Sequence, residues 1–410
     1  MKFLEFDVII IGAGPAGCAC TYMLRNEQLS IAVVDKSTFP RDKICGDALS
    51  ADVINQFYRM DTDLAIRFEQ FQHKLASNGV RFVAPNLDSL DIDFTNPNHG
   101  QAAGYISKRK DFDNFWFEQI KDQVNVTPFL GESVEELIVN ENYAHVQLPN
   151  IMLKSKIIIG ADGAHSIVNK KLGSIKVEKE HYCAGIRQYF EGVKDFTTGN
   201  HIELHFYKDV LPGYFWVFPL PNGQANVGIG MLSSEVSKRK IDLKKTLAEL
   251  IESNPILKDK FKNANPIETP KGFGLPIGSK KRPVSGNRFL LLGDAASLID
   301  PFTGEGIGNA VRSGRLAADH ISQAFLKGRF DKEFNKRYDK IIYHKMWNEL
   351  RISRSMQRLL RYPTLFNYVV NKANNNSSVR ILLTSMLDNI ELKKELIKPS
   401  FYLKLLFNNK

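Results

Sequence analysis

A glycine-rich turn near the N-terminus constrains the fold of this chain more than any other feature. Gly12-Ala13-Gly14-Pro15-Ala16-Gly17 stands between an apolar run at 6–11 and a helical pattern at 15–25, and a second apolar run at 31–35 ends on Asp35. Glycines permit a tight turn and let a pyrophosphate approach the helix N-terminus. A carboxylate 21 residues after Gly14 can accept hydrogen bonds from an adenosine ribose. The sequence therefore predicts a βαβ unit that binds a dinucleotide through Gly12, Gly14, Pro15, Ala16, Gly17, Asp35 and Lys36.

Three later segments add to this fingerprint: the helix start at Arg109, the Asp-Gly turn at Asp162, and the Gly-Asp pair ending at Asp294 after a buried run at 289–292. Together they resemble the p-hydroxybenzoate hydroxylase superfamily of FAD enzymes. The resemblance implies that Arg109 neutralises the FAD pyrophosphate and that Asp162 lies near the pyrophosphate and the path of NAD(P)H. It also implies that Asp294 binds the ribityl chain.

The loop 300–310 completes this part of the resemblance. Its amides near Gly306 to Gly308 are implied to face the flavin pyrimidine from a helix N-terminus, whose positive dipole would stabilise a reduced flavin. No second GxGxxG follows a strand and no CxxC occurs, which argues against the two-nucleotide-domain disulfide reductases. The implied cofactor is FAD, reduced by NAD(P)H or another donor. The implied contacts in this region are Gly293, Asp294, Pro301, Gly304, Gly306, Ile307 and Gly308.

An aromatic segment makes the chain look like the geranylgeranyl reductase family within that superfamily. Residues 212–219 match the family's YxWxFP motif. Because side chains alternate along a strand, Tyr214, Trp216 and Phe218 are expected on one face. Three rings on one face suit a prenyl substrate, although the core of an antiparallel sheet has the same composition.

A second segment, residues 41–47, is similar to the part of that family that places a Cys-Gly pair against the isoalloxazine ring. The resemblance implies that Arg41, Cys45 and Gly46 lie at the cofactor. Family members often carry a second glycine after this pair, and Asp47 stands in its place here.

The resemblance implies reduction of an isolated carbon-carbon double bond in a prenyl lipid or a quinone tail, with hydride from flavin N5. Such a bond has no oxygen to polarise, so positioning and exclusion of water are expected to carry catalysis. The second carbon needs a proton, for which Cys45, Tyr214 and a trapped water are candidates. A monooxygenase or halogenase of the same fold, and a non-catalytic flavoprotein that binds prenyl lipids, remain as alternatives.

The order of the motifs predicts an α/β fold. A discontinuous Rossmann-like FAD-binding domain is expected to carry an inserted antiparallel β-sheet substrate domain and a helical C-terminal region. The predicted limits are 1–72, 104–175 and 276–330 for the FAD-binding domain, 73–103 and 176–275 for the substrate-binding domain, and 331–410 for the C-terminal region.

The net charge of +10 is concentrated near the C-terminus, where residues 329–410 contain 17 Lys and Arg against 7 Asp and Glu. Interleaved with apolar residues, these charges predict either contact with an anionic membrane surface or a solvated helical face. They match no nucleic-acid recognition module. No run of 18 apolar residues occurs, and the four cysteines lack metal-ligand spacing. We therefore expect a cytoplasmic enzyme without metal or disulfides, at most peripheral on the inner face of the membrane.

Overall fold

The computed structural model describes residues 2–94, 102–388, 398 and 400. The strands, in chain order, are β1 Lys2–Glu5, β2 Val8–Ile11, β3 Ile31–Asp35, β4 Ala48–Leu49, β5 Leu75–Ser77, β6 Gly79–Val83, β7 Ser89–Asp93, β8 Gly104–Ile106, β9 Val126–Leu130, β10 Glu136–Val139, β11 Ala144–Gln147, β12 Ile151–Ser155, β13 Ile157–Gly160, β14 Tyr182–Glu191, β15 Ile202–His205, β16 Tyr214–Leu220, β17 Gln224–Leu232, β18 Asn265–Pro266, β19 Lys271–Pro276, β20 Ser285–Gly286 and β21 Phe289–Leu291. The α-helices are α1 Pro15–Leu24, α2 Ala51–Met60, α3 Thr62–Gln70, α4 Arg109–Glu118, α5 Ile167–Leu172, α6 Ser233–Arg239, α7 Leu243–Ser253, α8 Pro255–Lys260, α9 Ile307–Lys327, α10 Lys332–Leu359, α11 Pro363–Asn375 and α12 Ser377–Asp388.

One sheet has the strand order β20-β21-β13-β2-β3-β9, and all of its strands except β20 run parallel. Residues 8–11, 31–35 and 157–160 are buried throughout, as expected for parallel strands covered on both faces. The carboxyl ends of parallel strands meet at one edge of the sheet, which is where open α/β sheets bind ligands. Gly12, Asp35, Asp162 and Gly293 all lie at or just after these strand ends.

A second, larger sheet has the order β18-β14-β17-β16-β15-β6-β7, with β19 also paired to β14. Strand β6 runs parallel to β15, so this sheet joins segments of the chain that are separated by more than a hundred residues. Strand β5 instead belongs to a three-stranded sheet with β8 and β4. The α/β fold class is confirmed, whereas the exact domain limits stay a prediction.

The helices after residue 331 cover two parts of the molecule. The side chain of Asp331 accepts a hydrogen bond from the Phe334 amide and caps α10. Helix α10 then buries residues four apart, among them Tyr338, Ile342 and Met346, against the parallel sheet and α9. Helices α11 and α12 pack on β7 at the edge of the larger sheet. Among the helices of the described residues, none combines the length and apolar character needed to cross a membrane.

Candidate active site between the two sheets

A cleft of about 1920 Å³ runs from the glycine-rich turn to the aromatic strand β16. Pockets for a single small ligand usually occupy about 300–1,000 Å³. The cleft therefore has room for a dinucleotide and for a second molecule beside it.

The glycine-rich turn at one end of the cleft has no space for a side chain at Gly12 or at Gly17. Gly12 has φ +102°, and a Cβ atom there would lie 2.3 Å from the carbonyl oxygen of Ala161. A Cβ atom on Gly17 would lie 1.8 Å from the carbonyl oxygen of Gly12. Helix α1 begins at Pro15 with its N-terminus at the cleft. This is the geometry in which free amides and the helix dipole attract a pyrophosphate.

Asp35 and Arg41 stand beside this turn. Asp35 is buried, and its two oxygens accept hydrogen bonds from the amides of Ala13 and Ser37, each at 2.9 Å. The guanidinium of Arg41 lies 3.8 Å from Asp35 Oδ2 and 3.5 Å from where a Cβ on Gly14 would be. Arg41 therefore places a positive charge beside the candidate pyrophosphate position.

The contacts of Arg109 differ from those that the sequence predicts. It is 2% exposed and binds Asp113 with two hydrogen bonds, of 2.6 and 2.8 Å, while Arg41 binds the same carboxylate at 2.8 Å. Burial alone would raise the pKa of Asp113, but the two arginines hold it below its usual value. Both arginines bind Asp113, but the Arg41 side chain is 15% exposed and lies beside Gly14, whereas that of Arg109 is 3% exposed, so the geometry favours Arg41 for the pyrophosphate. Contact between Arg109 and the pyrophosphate stays a prediction.

Asp162 and Asp294 line the middle of the cleft. Oδ2 of Asp162 accepts the amides of Ile167 and Val168 at 2.7 and 3.2 Å, whereas its buried Oδ1 has no partner among the described residues. Burial raises the pKa of Asp162. An orphaned acceptor of this kind fits a ligand with hydroxyl or N–H groups, such as FAD. Asp294 accepts a hydrogen bond of 3.0 Å from Lys43, whose presence in the cleft the sequence did not indicate.

The loop before α9 brings a glutamate to the predicted flavin position. Glu305 Oε1 accepts the amide hydrogen of Gly308 at 2.9 Å, so this amide is already used within the chain. Of the amides predicted to face the flavin, those of Gly306 and Ile307 remain the candidates. Burial raises the pKa of Glu305 to about 7.

The aromatic strand crosses the other end of the cleft. The rings of Tyr214 and Trp216 have centroids 6.2 Å apart, and those of Trp216 and Phe218 are also 6.2 Å apart. All three line the cleft, as the alternation along the strand predicts. The hydroxyl of Tyr214 donates to the carbonyl of Thr303, so it ties the strand to the loop that precedes α9.

The Cys45-Gly46 pair lies against this aromatic row. A Cβ atom on Gly46 would lie 3.0 Å from the Phe218 ring, closer than an ordinary van der Waals contact, so a larger residue would press on this ring. Asn226 connects the two parts, because it donates to the carbonyl of Cys45 at 2.7 Å and accepts from the Trp216 indole at 2.8 Å. The Cys45 side chain lies near enough to the guanidinium of Arg109 for the two to interact electrostatically.

Asp47, the departure from the family pattern, forms a buried anchor for this loop. It has φ +69°, a conformation that Asp tolerates better than most residues, so the loop shape does not need a second glycine. Its carboxylate accepts from the Tyr189 hydroxyl at 2.7 Å, the Asn226 amide at 2.8 Å and the Arg109 backbone at 3.3 Å. Burial raises the pKa of Asp47 to about 6, and the donors oppose a larger rise.

The structure brings most of the predicted site residues to one cleft, and their roles there stay predictions. Gly17, Gly293 and Gly308 do not line it but lie behind it, where they permit close packing. The sequence did not indicate several residues of the same cleft or of the network that holds it: Lys43, Tyr189, Asn226 and Glu305. In the sequence, only Asp47, at a position where family members often have a glycine, pointed to part of the network that holds the cleft.

Comparison with known proteins agrees with the family resemblance seen in the sequence. A family model described as the geranylgeranyl reductase catalytic domain matches residues 185–273, and one described as an NAD(P)-binding Rossmann-like domain matches residues 10–73. A menaquinone reductase of Mycobacterium tuberculosis is 27% identical over 364 residues, which cover 87% of this chain and 84% of the relative. A digeranylgeranylglycerophospholipid reductase of Methanosphaera stadtmanae is 29% identical over 343 residues, or 82% of each protein.

The fold also matches a solved structure along nearly its whole length. A geranylgeranyl bacteriochlorophyll reductase-like protein of Thermoplasma acidophilum superimposes with a TM-score of 0.80 and 23% identity, covering 96% of this chain and 99% of that one. At this identity the match establishes a shared fold.

Proposed function

The chain is an FAD-dependent oxidoreductase that carries a geranylgeranyl reductase catalytic domain, and from this premise we propose that it reduces isolated double bonds of a prenyl lipid or of the prenyl tail of a quinone. The observation that carries the proposal is the row of Tyr214, Trp216 and Phe218, which lines the same cleft as the loop before α9. An apolar substrate held by this row would lie beside the candidate flavin position.

Bound FAD would supply hydride to one carbon of the double bond, after reduction by NAD(P)H or another donor. The chain must then deliver a proton to the other carbon. Tyr214 donates its hydroxyl proton to the Thr303 carbonyl, so we assign it a positioning role. We assign the proton source to the Cys45 thiol, which lines the cleft, with a trapped water as the alternative.

Water must be kept away from the reacting atoms, and the aromatic row supplies the apolar wall for this. Trp216 and Phe218 are 4% and 7% exposed, and the only polar atom of the indole is bonded to Asn226. The row would therefore keep water from competing with an apolar substrate for the reacting atoms.

An anaerobic turnover assay tests the proposed function. The FAD-containing protein, given NADH, NADPH or dithionite, should add two hydrogens per reduced bond to a menaquinone or to a digeranylgeranyl lipid, as measured by mass spectrometry. Cys45→Ser should lower the rate by about 10²-fold or more, in line with the loss of a general acid. Tyr214→Phe should lower the rate less, and its main effect should be a higher KM.

Two other results would contradict the proposal. Incorporation of oxygen under air would identify a monooxygenase, and incorporation of halide would identify a halogenase. A wild-type rate in Cys45→Ser would remove the assigned role of this thiol and leave a trapped water as the proton source.

We also propose that the basic C-terminal region holds the enzyme on an anionic membrane, from which it takes its lipid. The predicted region, 331–410, lies partly outside the described residues. Within the described part, Arg351, Arg358 and Arg361 are exposed or partly exposed at the end of α10 or just after it. The protein should sediment with phosphatidylglycerol vesicles at low salt and not with phosphatidylcholine vesicles. Equal recovery with both would reject this proposal.

A further inference from the structure

Arg187 is a fully buried cation of the larger sheet that does not line the cleft. It lies inside β14, between the neighbouring strands β17 and β19. Its guanidinium donates to Glu268 Oε1 at 2.6 Å and to Asp42 Oδ2 at 2.9 Å, while its buried Nε has no hydrogen-bond partner among the described residues. A buried ion pair often stabilises a fold less than well-packed apolar residues of similar volume would. Stability alone therefore does not account for an arginine at this position.

The contacts of Arg187 reach the loop that carries Cys45 on both sides of the thiol. Asp42, which precedes the cysteine in this loop, binds the guanidinium directly. Tyr189 lies on the same face of β14 and stacks with the guanidinium, whose carbon is 3.9 Å from the ring centroid. The Tyr189 hydroxyl donates at 2.7 Å to Asp47, which follows the cysteine. One buried side chain thus connects both ends of the segment that places Cys45 in the cleft.

Lys271 of β19 is a second cation next to the same two carboxylates. Its Nζ lies 2.6 Å from Glu268 and 3.9 Å from Asp42, but its side chain is 43% exposed, whereas that of Arg187 is 0% exposed. Exposed ion pairs contribute little, whereas the planar fork of a buried guanidinium holds two carboxylates in defined positions. Arg187 is therefore the cation that fixes Asp42, and Lys271 offers a control with the same partners.

The charge of Arg187 also acts on the second attachment of the loop. Burial raises the pKa of Asp47 to about 6, and this rise is opposed by hydrogen bonds from Tyr189 and Asn226 and by the charges of Arg187 and Arg109. Loss of the Arg187 charge should therefore weaken the contacts of Asp47 as well as those of the loop's other end.

We propose that Arg187 is a positioning residue, which holds the loop 41–47 at both ends so that the Cys45 thiol faces the double bond to be reduced. The inference rests on the proposed function, in which Cys45 is the proton source. Because Arg187 lies outside the cleft, it acts through its partners and not on the substrate. A displacement of about 1 Å at a reacting group can lower a rate by about a hundredfold, so the hold on this loop matters for catalysis.

Two measurements on the FAD-containing protein test this role. In the anaerobic turnover assay, Arg187→Met should lower kcat by about ten- to a hundredfold and leave KM within about threefold of the wild type. Without substrate, N-ethylmaleimide should alkylate Cys45 at least about fivefold faster in this variant, as followed by peptide mass spectrometry, because the loop has lost its attachments. Arg187→Lys keeps the charge without the fork and should recover part of both effects. Lys271→Met should leave both measurements within about twofold of the wild type.

Asp42→Asn provides a second variant if Arg187→Met does not fold, because the Asp42 side chain is 38% exposed and the substitution preserves its size. It should shift both measurements in the same directions. Alkylation of Cys45 at the wild-type rate would overturn the inference even if kcat fell, since Arg187 would then not hold the loop. Faster alkylation with an unchanged kcat would overturn it as well. Faster alkylation in a protein whose wild type reduces no prenyl substrate would instead reject the proposed function and retain Arg187 as the residue that holds the loop.

Discussion

Asp47 is a buried carboxylate whose partners come from three distant parts of the chain. Tyr189 and Asn226 belong to β14 and β17 of the larger sheet, and Arg109 begins α4. The carboxylate thus attaches the Cys45-Gly46 loop to the substrate sheet. Because burial raises its pKa to about 6, Asp47 is ionised above that pH and depends on these donors there.

Tyr189→Phe should destabilise the protein more at pH 8 than at pH 5. Loss of the hydroxyl leaves the ionised carboxylate one donor short at pH 8, which costs about 1.5–3 kcal/mol, against about 1 kcal/mol when Asp47 is protonated. The sign agrees with proton linkage. Removal of a donor raises the native pKa of Asp47 further. A buried acid with a raised native pKa makes the folded protein less stable as the pH rises through that pKa. Urea unfolding at the two pH values measures the difference.

Tyr343→Phe is the matched control for this substitution. The Tyr343 hydroxyl donates to the carbonyl of Arg282 and accepts its amide hydrogen, both at 2.7 Å, so its partners are uncharged. Its loss should cost a similar free energy at both pH values. If Tyr189→Phe behaved in the same pH-independent way, Asp47 would not be the charged partner that the structure indicates.

Individual site residues could be predicted only where a local pattern fixes their geometry. The Gly12 turn and Asp35 are such a case, because strand, turn and helix follow each other directly. Asn226 could not be found in this way, since its partner Cys45 is 181 residues away and an Asn inside a strand has many possible roles. Asp113, the partner of Arg109, is only four residues away along the chain. The sequence nevertheless did not show that this carboxylate would compete with a phosphate for the arginine.

At the scale of elements, helices α1 and α9 join the two nucleotide motifs by direct contact. Gly314 of α9 allows this, because a Cβ atom there would lie 2.3 Å from the carbonyl oxygen of Ala16. Gly314→Ala should push the helices apart, lower the free energy of unfolding by about 1–3 kcal/mol and reduce the FAD content of the purified protein. Urea unfolding and the flavin absorbance per protein provide the two measurements.

Gly328→Ala, at the end of the same helix, is the control that distinguishes the effect of helix packing from that of backbone strain. Gly328 has φ +62° and no atom within 4 Å of its Cβ position, so the substitution strains the backbone without displacing a neighbour. It should cost about 1 kcal/mol and leave the FAD content unchanged. Equal FAD content in both variants would show that the α1–α9 contact does not shape the cofactor site.

The prediction of elements was accurate where strands are continuously apolar and buried, and weak where a strand is exposed. The buried strands β2, β3 and β13 have continuous apolar sequences. Strand β1 has only four residues, three of them exposed, and its parallel partner β12 begins 149 residues later. Neither hydrophobic pattern nor turn chemistry signals such a pair, because its stability depends on a contact that forms only when the chain has folded.

At the scale of the whole molecule, the cleft is built from both large sheets, and hydrogen bonds from the larger sheet to the loops 41–47 and 300–306 join its two sides. The glycine-turn end, where adenosine is predicted to bind, belongs to the parallel sheet, whereas Trp216 and Phe218 belong to the other. The contacts of Tyr214 with Thr303, and of Asn226 with the Cys45 carbonyl, connect the two sides. A ligand that spans the cleft should therefore stabilise the protein by more than its contacts with either side alone.

FAD should raise the melting temperature of the FAD-depleted protein well above the shift produced by ADP at the same concentration. ADP can occupy only the glycine-turn end, beside Asp35 and Arg41, and leaves the remainder of the cleft unfilled. A ligand at a hundred times its Kd stabilises by about 2.7 kcal/mol, so the tighter ligand gives the larger shift at equal concentration. Thermal unfolding at a series of FAD and ADP concentrations measures both. Equal shifts would mean that binding energy comes from the adenosine end alone and that the flavin half does not hold the two sheets together.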